Sequence, residues 1–179
     1  MATISAHTST AAEPFGLSVT DVAASLAVGP EAGLSTAEAT QRLLGYTIVL
    51  DDDSWHAPTT LPGWSRAHVA THLARNADHV RGVLEAVSAG VPQPAPAVRS
   101  DRIAALEVGA DRDGLALQID LDTSAGALHR ITDGTTDWDR EVDVHGRRHP
   151  LSALALARLH EVCIHHLDLD FDFAPELID

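Results

Sequence analysis

Apolar residues recur every three or four positions along four stretches of the chain, the period of helices that each bury one face. The first opens at Ser35-Thr36-Ala37-Glu38, a Ser-x-x-Glu capping box, and is predicted to run to Leu50, where Asp51 to Asp53 stop the apolar pattern. The second follows Leu61-Pro62-Gly63-Trp64. Ser65 is a good N-cap there, Val69, Leu73, Val80, Leu84 and Val87 form the stripe, and Gly90 closes it. A connector carrying Pro92, Pro94 and Pro96 leads to a third helix over about 115–131, with Leu117, Leu121, Leu128 and Ile131 along one side. From Trp138 to His145 the period changes to alternation, with Trp138, Val142 and Val144 at even positions, and Gly146-Arg147 suits the turn of a small hairpin. Pro150 fits the first turn of a last helix over about 151–169, followed by a short acidic tail. Residues 1–33 hold only a short capped stretch after Ser18 and the breakers Gly29, Pro30 and Gly33, and read as a partly helical, peripheral N-terminal extension. Four main helices of about 15 to 25 residues predict an all-α protein, a four-helix bundle over residues 34–179 with room for one small β-hairpin.

Composition narrows what such a bundle can do. The 179 residues include 12 Lys+Arg against 26 Asp+Glu, a net charge of −14. So acidic a surface repels phosphate backbones and anionic lipid, which argues against nucleic-acid and membrane partners. One cysteine excludes an intrachain disulfide framework and any CxxC site. The N-terminus lacks the basic-then-apolar order of a signal peptide and no run has the length of a membrane span, so a cytoplasmic protein is expected. Histidine stands out: there are 11, and they must be judged by position.

In the last helix Glu161 and His165 are four apart and lie one above the other, with Asp168 continuing the same face. A carboxylate and an imidazole one turn apart can reach a single cation; they can equally be a surface pair. In the second helix His72 sits within the apolar stripe, where its ring nitrogens need partners or a metal. Two imidazoles and one carboxylate from two facing helices form the three-ligand set of catalytic zinc sites. His68, His160 and His166 point away from these positions, and His166 is expected to be exposed. Cys163 lies about 200° round the helix from both Glu161 and His165 and reads as a small apolar residue, not a nucleophile. Pro62 and Trp64 are expected to fix the start of the second helix.

Two segments carry a resemblance to a known family. Leu61-Pro62-Gly63-Trp64-Ser65-Arg66-Ala67-His68-Val69 with Thr71-His72-Leu73-Ala74-Arg75-Asn76-Ala77, and then His160-Glu161-Val162-Cys163-Ile164-His165-His166-Leu167-Asp168-Leu169, resemble the two signatures of the mycothiol-dependent maleylpyruvate isomerase family of the DinB-like superfamily. The resemblance covers about Ser35 to Glu176. It implies a DinB-like four-helix bundle holding one divalent metal, Zn²⁺ or another such as Ni²⁺, on His72, Glu161 and His165. It further implies mycothiol, a small-molecule thiol, as co-substrate. Asn76 is in the matched motif and is expected to touch substrate or orient a ligand; Asp168 is expected either to contact the thiol co-substrate or to accept from His165.

The protein cysteine faces away, so the sulfur is expected to arrive on the co-substrate and add to an electrophilic small molecule. The chain ends 14 residues after His165, without the second domain of the isomerase that typifies the family. On that ground a thiol transferase is expected ahead of a cis–trans isomerase. A non-catalytic metal-bearing binding module and a zinc hydrolase are the other classes, and the oligomeric state is left open.

Overall fold

The structure, a computed structural model, describes residues 35–93, 95, 98–144 and 147–169. The Ser18 box, the extension of residues 1–33, the hairpin turn at Gly146 and the acidic tail from Asp170 lie outside them. Along the described residues run α1 (Thr36–Thr47), α2 (Asp52–His56), α3 (Arg66–Ala89), α4 (Arg99–Ala110), α5 (Gly114–Asp133), β1 (Glu141–Val144), β2 (Arg147–Pro150) and α6 (Leu151–Asp168). The architecture is all-α, with α1, α3, α5 and α6 as the bundle and α3 at its centre, packed against α5, α4 and α6.

Local chemistry sets the ends of these helices. Ser35 and Glu38 form the capping box in full: the Ser35 backbone N–H donates to the Glu38 carboxylate at 3.0 Å and the Glu38 N–H to the Ser35 hydroxyl at 3.2 Å. Gly90 ends α3 at φ 66°, a left-handed conformation that costs a residue with a Cβ. The predicted stripes are the buried ones. Val69, Leu73, Val80 and Leu84 on α3, and Leu117, Leu121 and Leu128 on α5, are all buried. One core cluster joins Ala77, Val80, Val83 and Leu84 of α3 to Leu128, Val142, Leu151 and Leu154, with Trp138 packed against it. The hairpin thereby closes one end of the bundle, in the register Glu141↔Pro150 to Val144↔Arg147. A second cluster, Trp55, Ala67, Ala70, Ala110 and Leu117, closes the other.

Three expectations need correction. The first bundle helix stops at Thr47, not Leu50, and is 12 residues long. Asp51 to Asp53 do not merely interrupt the pattern: the Asp51 carboxylate accepts from Ser54 N at 2.9 Å and starts α2, which seats Trp55 in the core. Finally, the stretch between the Pro-rich connector and the third predicted helix contains a whole helix, α4. It buries only Ala110 and leaves Ile103 and Val108 in solvent, so it has no apolar stripe to betray it.

Candidate metal centre

The side chains of His72, Glu161 and His165 meet between α3 and α6. His72 Nε2 lies 2.8 Å from Glu161 Oε2, and His165 Nε2 lies 3.5 Å from the same oxygen. The two imidazoles stand edge to face with centroids 4.7 Å apart. Their three candidate ligand atoms all fall within 4.8 Å of one another. Ligands at about 2.1 Å from one tetrahedral zinc would be about 3.4 Å apart, so the observed set needs to open or close by less than about 1.5 Å. Two borderline nitrogens and one hard oxygen suit zinc, and also nickel or iron.

His165 is held from behind. Its Nδ1 lies 2.7 Å from Asp168 Oδ2, which fixes the proton on Nδ1 and leaves the Nε2 lone pair directed at the cluster. The Thr60 hydroxyl reaches the other Asp168 oxygen at 3.4 Å. Arg66 anchors the end of α6, donating Nε–H to Leu169 O at 2.6 Å and Nη1–H to Ser54 O at 3.1 Å. Side-chain exposure falls from 33% at His72 and Glu161 to 15% at His165, so the cluster meets solvent on the His72–Glu161 side.

Electrostatics follow from these contacts. The imidazoles of His165 and His72 hold the Glu161 carboxyl far below its usual range, against the opposing effect of burial. Burial pulls the His165 imidazole down, but hydrogen bonds to Glu161 and Asp168 outweigh it and raise the ring above its ordinary value. Without a metal the cluster therefore favours a proton on His165; a metal must displace it.

Of the two residues expected to touch substrate, Asp168 sits on His165 as described. Asn76 faces α6, and its Oδ1 accepts from Arg158 Nη1 at 3.0 Å. Arg158, which the sequence reading passed over, is 2% exposed and also donates Nη1–H to Leu73 O at 2.9 Å. Burial draws its guanidinium down to about 10, with the Glu161 charge acting in the other direction. A spacing of three, four and three puts Arg158, Glu161, His165 and Asp168 on one helix face, a signal present in the sequence.

Trp64 does more than begin α3. Its ring lies nearly parallel to His165, at 15° and 6.3 Å, and edge-on to His72 at 5.6 Å, which walls the cluster on one side. His68 serves the start of α3, with Nδ1 accepting from Ser65 N at 3.1 Å. His160 is exposed on the outer face. The expected exposure of His166 is wrong: it is half-buried, its ring 5.0 Å from Tyr46, because α1 packs over that face of α6. Burial lowers its imidazole and raises the Cys163 thiol, so neither favours its charged form.

Residues 36–170 match the family described as mycothiol maleylpyruvate isomerase N-terminal domain. The chain belongs to this family. Two solved structures share the fold of this family member: the mycothiol-dependent maleylpyruvate isomerase, at 26% identity, and a histidine-to-alanine variant of it, at 25%. Each has a TM-score of 0.70 and aligns with 80% of this chain. The chain spans 63% of the length of either. No curated protein matches it. Among the described residues no helix is long and apolar enough to cross a membrane.

Proposed function

We propose that this chain is a metal-dependent, thiol-activating enzyme in which His72, Glu161 and His165 hold one divalent ion, Zn²⁺, and mycothiol supplies the reacting sulfur. The observation that carries the reading is the meeting of Glu161 Oε2 with His72 Nε2 at 2.8 Å, across 89 residues of chain, with His165 completing the set. Three protein ligands leave a position open, as catalytic zinc sites do and closed structural sites do not. When bound, such an ion would lower the pKa of a thiol so that the thiolate, the nucleophile, prevails at neutral pH.

The rest falls to the chain's own groups. Around a divalent ion, two neutral imidazoles from His72 and His165 and the Glu161 carboxylate would sum to a net charge of about +1, which would attract a thiolate. Asp168 keeps the His165 proton on Nδ1, away from the ligand side. Trp64 covers one flank and excludes water there. Cys163, its thiol raised by burial, leaves the sulfur to the co-substrate.

Addition of the sulfur to an electrophilic double bond permits rotation, and elimination then returns the thiol with the double bond isomerised. The likeness to the mycothiol-dependent maleylpyruvate isomerase supports this outcome for a maleylpyruvate-type substrate, ahead of the transfer expected from the sequence. In the transferase alternative the same sulfur stays on an electrophilic small molecule. The test is turnover of maleylpyruvate and of a panel of electrophiles with mycothiol, comparing the zinc-loaded protein with His165→Ala and with chelated protein. Thiol-dependent turnover lost in both supports the proposal. Turnover that survives both removes the metal from the reaction, and zinc binding without thiol binding or turnover makes the protein a binding module.

A further inference from the structure

The inward face of α6 changes character along its length. Near the hairpin it carries Leu151 and Leu154, both buried in the core. From Arg158 onward it carries Glu161, His165 and Asp168. Arg158 is the junction, 2% exposed, at a position where another leucine would continue the core. A guanidinium there loses its hydration and must regain it from fixed oxygens. Arg158 recovers it only in part: Nη1 donates to Leu73 O and Asn76 Oδ1, at 2.9 and 3.0 Å, while Nε has no hydrogen-bond partner among the described residues. An apolar side chain would carry no such unmet donor, so stability alone does not account for an arginine here.

Its two oxygen partners explain it better. Leu73 is the residue after His72, and Asn76 lies one turn beyond His72 on α3. Arg158 itself lies one turn before Glu161 on α6. One guanidinium nitrogen therefore joins the backbone that carries His72 to the helix that carries Glu161.

We propose that Arg158 is a positioning residue of the metal centre: its grip on Leu73 O and Asn76 Oδ1 locks Glu161 opposite His72. The proposal rests on the metal reading above for its functional meaning, but the alignment of Glu161 with His72 exists without the ion. Asn76 becomes the anchor of Arg158 and acts on the site through it.

The test compares the full chain with Arg158→Met and Arg158→Lys by three readouts. These are zinc affinity by competition, the visible spectrum of the cobalt-substituted protein, and the nitrogen-15 resonance of His72 Nε2 in metal-free protein. Arg158→Met is expected to melt cooperatively, lose zinc affinity by about tenfold or more, alter the cobalt bands and move the His72 resonance. Arg158→Lys should recover part of each, because it returns a charged donor without the planar fork. A folded Arg158→Met with wild-type zinc affinity and an unmoved His72 resonance overturns the proposal. If Arg158→Met does not fold, Asn76→Ala decides by the same readouts, since it removes one anchor and keeps the charge. A wild-type chain that binds no zinc overturns the metal reading instead, and the His72 resonance alone then decides for Arg158.

Discussion

Asp168→Asn should weaken zinc binding by about tenfold, and Asp168→Ala by up to about a hundredfold. The contact at stake is a charge-assisted hydrogen bond, His165 Nδ1 to Asp168 Oδ2 at 2.7 Å. Both side chains are about six-sevenths covered, at 15% and 16% exposure, so solvent screens the bond little. Hydrogen bonds to charged groups contribute about 1.5–3 kcal/mol, and a tenfold change in affinity is about 1.4 kcal/mol. Asparagine keeps an acceptor of the same shape and loses the charge, which places it at the low end; alanine loses both. The Thr60 hydroxyl, at 3.4 Å from the other oxygen, adds little. A competition titration against a chromophoric zinc chelator measures the effect. It should be run near about pH 8, because Asp168 also raises the His165 imidazole, and at lower pH its loss would ease proton competition and mask the weakening. Affinities within about twofold of wild type for both variants would refute the orienting role. Unchanged zinc affinity with a raised KM for mycothiol would assign Asp168 to the co-substrate.

Three further outcomes are expected. His165 titrates above its ordinary 6.5 in the folded, metal-free protein, so its contribution to stability is full below that value and is lost as the pH rises through the folded value; Glu161, held below its ordinary 4.5, contributes above that value and loses it as the pH falls. Zinc needs His165 neutral, so the zinc-induced rise in Tm should shrink as the pH falls through the folded value of His165, and a constant rise between about pH 5 and 8 would contradict the assignment. Gly114→Ala should destabilise by about 1–3 kcal/mol, because its Cβ would clash with Trp55 Cδ1 in the core; an unchanged urea midpoint would show that α2 moves aside freely. A chain beginning at Gly33 should fold and bind zinc with unchanged stoichiometry, and loss of either would place residues 1–32 in the bundle.

Helix ends and stripes were legible in the sequence because they are local. A capping box, a closing glycine or an apolar residue every third or fourth position acts through neighbours a few residues away, and Ser35, Gly90 and the Val69–Leu84 stripe needed no partner to be recognised. The i,i+4 spacing of Glu161 and His165 is legible on the same ground, and the two motifs add His72. That these three meet is a property of how α3 and α6 pack, since Glu161 and His72 are 89 residues apart and no local rule sets their separation. Only packing could seat Trp64 on His165, cover His166 with α1, or bring Arg158 to Asn76 Oδ1. Helix α4 escaped the pattern because it lies on the surface and buries one alanine. Arg158 carried a signal in its three-residue spacing from Glu161, but an arginine on a helix is usually a solvated one. Its burial, and the oxygens that make burial tolerable, exist only once the two helices are brought together.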